Sequence, residues 1–131
     1  MSAVASDGED LHQILGLLAE YAASVDEGRW SDLRALWAED PELCVFGASH
    51  RGSDAIEAFL RAARRGKHIT AVPRIEFEGD RARSVADFVF FAAPDLTPFA
   101  AGAYRDEWRR RDGRWRLARR EIDVQLRPAS G

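Results

Sequence analysis

The chain has 131 residues, 46% of them hydrophobic, which is enough for one compact domain and too short for a two-domain enzyme with a separate nucleotide-binding half. Nineteen Lys and Arg against 22 Asp and Glu give a net charge of -3, without the basic excess of a nucleic-acid binder, and no apolar run approaches the roughly 20 residues of a membrane span. The lone Cys44 cannot form an intramolecular disulfide and no Cys/His spacing suits zinc, so the expectation is a cytoplasmic protein with no metal, no nucleic-acid partner and no membrane segment.

Past an N-terminal tail over 1–9, Leu11, Ile14, Leu15, Leu18, Ala22 and Val25 recur at helical spacing and predict an amphipathic helix from Asp10 to Gly28. Ser31 is a candidate N-cap for a short helix carrying Leu33, Leu36 and Trp37, which must end before Pro41. A short strand over 43–46 follows. Gly52 and Ser53 then open a third helix with Ile56, Phe59, Leu60 and Ala63 inward, Arg61, Arg64 and Arg65 near its C-terminal end, and Gly66 as its stop. From there the period changes to two. Strands are expected over 67–78 and 81–93 around Gly79-Asp80, and over 99–111 and 114–126 around Asp112-Gly113. Three helices followed by two long hairpins make an α+β domain over 10–127, its helices covering one face of a mostly antiparallel sheet, with a second flexible tail over 128–131.

Asp26 lies about three helical turns after Leu15, so its carboxylate falls on the buried stripe, and in the last turn it opposes the helix dipole unless a donor faces it. His68 begins the first long strand, and Tyr21 sits one to two turns before Asp26. An Asp on a buried helix face, a strand His and a nearby Tyr are the components of proton transfer, with the carboxylate fixing the imidazole tautomer. His12 and His50 fall in polar contexts and read as surface residues.

If Gly79-Asp80 form a tight turn, Val72 faces Asp87, and His68 shares a face with Asp87 across a wall of Val85, Val89 and Phe91. Pro73 is a bulge position that would shift this register. With Asp87 inward, Phe88 and Phe90 face outward and need cover from a second copy, hence a homodimer. In the last hairpin, Trp115 and Leu117 have one parity and Ile122, Val124 and Leu126 the other, so a bulge lies between them. Which of Arg119 and Arg120 turns inward stays open, and Asp106 is expected opposite Arg119. No GxGxxG, Walker, HExxH, GxSxG or CxxC pattern is present, which leaves cofactor-free chemistry.

The segments LLAEYAASVDEGRWSDLRALWAED, RGSDAIEAFL, KHITAVPRIEFEGDRARSVADF and GAYRDEWRRRDGRWRLARREI, in this order and spacing, resemble the SnoaL-like branch of the NTF2-like superfamily. Asp26 in VDEGRW and His68 in KHITAVP resemble the Asp-His dyad of scytalone dehydratase, and Tyr21 resembles the Tyr of bile acid 7α-dehydratase. Asp87 and Arg120 correspond in this resemblance to further Asp and Arg residues of the latter, and Phe46 stands about where scytalone dehydratase has a second Tyr. The resemblance implies a cone of strongly curved sheet closed by three N-terminal helices around an apolar pocket, often in a dimer built through the outer sheet face. It also implies a cofactor-independent lyase or isomerase acting on an apolar cyclic substrate such as a steroid, polyketide or aromatic intermediate. Asp26, His68 and Tyr21 would be catalytic, with Asp87, Arg120, Phe46, Val72 and Phe91 binding or supporting. The alternatives are a non-catalytic ligand-binding or dimerisation module, or a polyketide cyclase with Asp87 as base.

Overall fold

In the computed structural model, which describes residues 7–128, the first apolar stripe becomes α1 (Asp7–Glu27), with Ile14, Leu18 and Tyr21 buried. Residues 7–9, expected to be tail, are helical, Pro128 is exposed and outside any strand, and the tail positions 1–6 and 129–131 lie outside the described residues. The helix stops where the sequence places the stop. Gly28, at φ 69°, donates to Val25 O at 3.2 Å while Arg29 donates to Ser24 O at 2.8 Å, the paired bonds of a glycine C-terminal motif.

The next segment departs from expectation. α2 (Trp30–Arg34) ends early, and Trp37 opens β1 (Trp37–Val45) instead of closing the helix. Pro41 is tolerated inside this strand because the pairing between β1 and the last strand slips between Trp37 and Glu42, so no ladder bond asks for its missing N–H. Phe46 and Gly47, at φ 53° and 76°, form a two-residue turn into β2 (Ala48–Arg51), a strand the alternation does not reveal. α3 (Ser53–Ala62) places Ile56 and Leu60 in the core. It ends before Gly66, which is the first residue of β3 (Gly66–Thr70) and not a helix stop.

The expected strand over 67–78 is two strands, β3 and β4 (Arg74–Glu78), both antiparallel to β5 (Arg81–Ala92). β6 (Thr97–Arg111) and β7 (Arg114–Leu126) complete a sheet ordered β2-β1-β7-β6-β5-β3, with β4 also on β5 and only the β1–β7 pair parallel. The break at 71–73 decides which side chains point inward. β4 pairs Arg74 with Val85, whereas β3 pairs Thr70 with Phe88, so four steps along one strand match three along the other. One extra residue reverses the side-chain parity, and His68 stands opposite Phe90. Phe88, Phe90 and Ala92 face the helices, continuing the buried parity of Ala82, Ser84 and Ala86 along β5, while Asp87 is exposed on the other side. A second bulge, at Ala118, brings Trp115 and Leu117 onto the same inner face as Arg120 and Ile122. That bulge was legible from the parity change.

The main core lies between the three helices and the sheet, around Trp37, Trp108 and Trp115. Trp115 Nε1 donates to Asp10 at 2.9 Å and Trp108 Nε1 to Ser84 at 2.8 Å, which satisfies both indole groups. A smaller cluster of Phe88, Phe90, Ala92 and Tyr104 lines the open end of the curved sheet.

Candidate functional site

The last turn of α1 meets β3, and there the carboxylate that the helix dipole disfavours finds its donors. His68 donates its backbone N–H to Asp26 Oδ2 at 2.9 Å, and His68 Nδ1 lies 2.6 Å from Asp26 Oδ1. A carboxylate at this distance accepts the proton of Nδ1, so Nε2 is the ring nitrogen left for a ligand. His68 is packed against Phe90, with ring centroids 4.5 Å apart. Burial is the largest influence on the imidazole and pulls it below its ordinary value of 6.5; the Asp26 carboxylate opposes this without reversing it. His68 is neutral at pH 7, the state a general base requires.

Both residues line a cavity of about 400 Å³ between α1, α3 and the open end of the sheet, with walls that include Val25, Leu60, Phe88, Phe90 and Ile122. Gly66 lines it as well, and no larger residue fits there. A Cβ would lie 2.1 Å from Phe91 O and 2.6 Å from the Phe90 ring. Phe46, 67% exposed on its turn, stands at the rim. His50 stacks on the cavity-lining Phe59 with centroids 4.4 Å apart and is half-buried, whereas His12 is exposed.

Tyr104 supplies the hydroxyl among the lining side chains. Tyr21 is placed differently from expectation. It is buried one layer below, edge-on to Tyr104 with centroids 6.4 Å apart, and is not among the residues lining the cavity. Its hydroxyl has no hydrogen-bond partner of good geometry among the described residues. Beneath both rings, Arg120 is the inward member of the Arg119-Arg120 pair. Its guanidinium lies 4.1 Å from the Tyr21 ring centre and 3.8 Å from that of Tyr104, and makes two 2.8 Å bonds to Asp106. The pair is essentially sealed, at 1% and 0% side-chain exposure. Burial works against the guanidinium charge, but attraction to Asp106 outweighs it and holds Arg120 above its ordinary value. Burial pushes both phenols up, and the same Arg120 charge opposes that rise. Arg119 faces outward to Glu42.

Three sequence assignments are corrected by the register. Asp87 and Phe91 lie on the outer sheet face, and Val72, 80% exposed, lies in the break between β3 and β4. None of the three lines the cavity. The inward Phe88 and Phe90 take the positions assigned to them, which also removes the argument that these phenylalanines need cover from a second chain. Sequence reasoning missed Tyr104 and the inward role of Asp106. Their signal was present in the shared parity of Tyr104, Asp106 and Trp108 along β6.

Against known proteins, the SnoaL-like domain model matches residues 7–121. The chain is 30% identical to an NTF2-like protein with a cystatin-like fold from Novosphingobium aromaticivorans, covering 88% of this chain and 82% of that one with a TM-score of 0.80. It is 25% identical to a scytalone dehydratase candidate from the same organism, covering 89% and 85% with a TM-score of 0.73. A hexachlorocyclohexane dehydrochlorinase from Novosphingobium barchaimii shares the fold at 20% identity and a TM-score of 0.78, covering 90% and 88%. No curated protein matches the sequence.

Proposed function

The chain belongs to the SnoaL-like domain family, and we propose that it is a cofactor-independent lyase or isomerase, dehydratase-like, acting on an apolar cyclic substrate such as a steroid, polyketide or aromatic intermediate. The observation that carries this reading is the 2.6 Å contact of Asp26 with His68 Nδ1 at the wall of an apolar cavity. Neutral His68 takes a proton through Nε2 from the carbon next to a ring carbonyl, and Asp26 stabilises the imidazolium that results. The electron pair left on carbon delocalises onto the carbonyl oxygen. It then collapses to form the new double bond as a β-hydroxyl departs, and the proton held on His68 leaves with it as water. If no hydroxyl is present, the same proton returns to the far end of the conjugated system and the double bond migrates. In this reading Tyr104, the hydroxyl-bearing residue of the lining and one that burial keeps protonated, donates to the carbonyl oxygen. Tyr21 and Arg120 support its ring from below.

The similarity to the scytalone dehydratase candidate supports elimination over isomerisation. A homodimer through the outer sheet face belongs to the same proposal. There Val85, Val89 and Phe91 stand half-buried beside the exposed Ile69, an apolar strip on an otherwise charged face. The test is a panel of cyclic β-hydroxyketones incubated with wild type and with His68→Ala, followed by absorbance of the enone product. Turnover by wild type that the variant lacks supports the reading. Binding of panel members without any product, by either protein, establishes a ligand-binding module instead.

A further inference from the structure

We propose that the cavity is built for a ligand carrying one anionic group, a carboxylate or sulfonate, on an apolar ring body, and that Arg64 and Arg65 hold this group at the mouth. The inference rests on the cavity being a small-molecule site, as in the reading above, and not on any turnover there. Apart from His68, the charged side chains lining the cavity are Asp26, Arg64 and Arg65. Asp26 is already occupied, because both of its oxygens accept from His68. The remaining charge at the mouth is positive and comes from two guanidinium groups that make no salt bridge among the described residues.

The contrast with the neighbouring arginines is informative. Arg34 pairs with Asp54 and Glu57, and Arg61 pairs with Glu57. Arg64 instead lies with its guanidinium carbon 4.9 Å from the centre of the Phe99 ring, a second wall of the mouth. Asp95 is near enough to feel the Arg64 charge, but its hydrogen bonds go to Thr97. Arg65 is fixed at both ends. Its carbonyl accepts from Ala93 N at 2.9 Å, and its Nη2 donates to the backbone carbonyl of Asp26 at 2.8 Å, which holds the guanidinium beside Gly28 at the end of α1.

A guanidinium presents five N–H donors and Arg65 uses one of them on Asp26, so the pair retains the parallel donors that a planar carboxylate takes best. A neutral ligand would gain nothing from this arrangement, whereas an anionic one would be held by its charge at the rim with its ring body among Phe88, Phe90 and Leu60. Anchoring of that kind also fixes which carbon of the ring meets His68.

The experiment compares two fluorescent probes with one aromatic body, an anilinonaphthalene sulfonate and its uncharged parent phenylnaphthylamine, titrated at low salt. Wild type should bind the sulfonate about tenfold tighter, the scale of a charge-assisted hydrogen bond. Arg64→Gln should remove most of that preference, and Arg64→Gln with Arg65→Gln all of it, while affinity for the parent stays within about twofold. Arg83→Gln, on the outer sheet face, should change neither. His68→Asn should leave the preference intact whatever it does to turnover, so failure of the catalytic reading and failure of this one are told apart. Equal binding of the two probes by wild type, no binding of either, or equal losses in Arg83→Gln and Arg64→Gln would each overturn the proposal.

Discussion

At the scale of single residues, the dyad makes its own tests. His68→Ala removes the base and should lower kcat/KM at least about a hundredfold, the usual contribution of a positioned proton acceptor. Asp26→Asn retains one side-chain acceptor for the His68 backbone N–H but loses the charge that stabilises imidazolium. Its activity should fall by about two to four orders of magnitude with the fold retained by circular dichroism. The pH dependence follows from burial. Because the folded protein holds His68 below 6.5, the unfolded chain takes up the proton more readily. The stability this histidine contributes is therefore complete above about pH 6.5 and declines as pH falls below it. kcat/KM should be flat around neutrality and drop on the acid side with a midpoint under 6.5, and urea midpoints of His68→Ala should lose part of the acid-side slope.

At the scale of elements, one extra residue between β3 and β4 sets His68 opposite Phe90, on the face where β5 buries Phe88 and Phe90 and not on the face of Asp87. Phe88→Ala should destabilise the protein by about 3–5 kcal/mol, since the ring is buried and stacked 4.4 Å from Tyr104. Asp87→Ala should stay within about 0.5 kcal/mol, and the opposite ranking in urea denaturation would return the register to an uninterrupted hairpin. β6 and β7 offer a second test through the sealed ion pair. Asp106→Asn leaves Arg120 charged with its partner neutralised at 1% exposure, for a loss of about 3–5 kcal/mol. The two tyrosine rings that sandwich Arg120 should then shift as well, visible in near-ultraviolet circular dichroism.

At the scale of the whole molecule, the sheet has two unlike faces. The inner one buries the core and the cavity. The outer one alternates Glu76, Glu78 and Glu107 with Arg81, Arg83 and Arg109 at one end and carries the apolar strip around Val89 at the other. A dimer formed through that strip should sediment as two copies at micromolar concentration, and Val89→Arg should shift it to monomer while leaving the Asp26–His68 contact and the melting profile of the monomer intact. A wild-type protein that sediments as a monomer throughout this range removes the dimer from the proposal.

Much of this was set locally and could be read from the chain. The stripe of α1, the stop at Gly28, the position of Asp26 on the buried side, the last long hairpin and the bulge within its second strand all follow from periodicity and turn chemistry over a few neighbouring residues. The α+β class follows from the order of those elements, and the NTF2-like architecture from the resemblance of the four sequence segments. What the local pattern could not carry was anything decided by a strand's partners. Pro41 lies within β1 because its neighbour β7 slips past it, β2 exists because Phe46-Gly47 turns the chain, and Gly66 is required by the Phe91 carbonyl against which it packs. A single residue inserted between β3 and β4 moved His68 from the register of Asp87 and Phe91 to that of Phe88 and Phe90, whose face is the one β5 buries along its whole length. Period-two alternation says which residues share a face, but only the pairing of strands distant in sequence says which face is buried. That is why Asp26 and His68 were legible as a pair, while the walls of the cavity around them were decided by the tertiary structure.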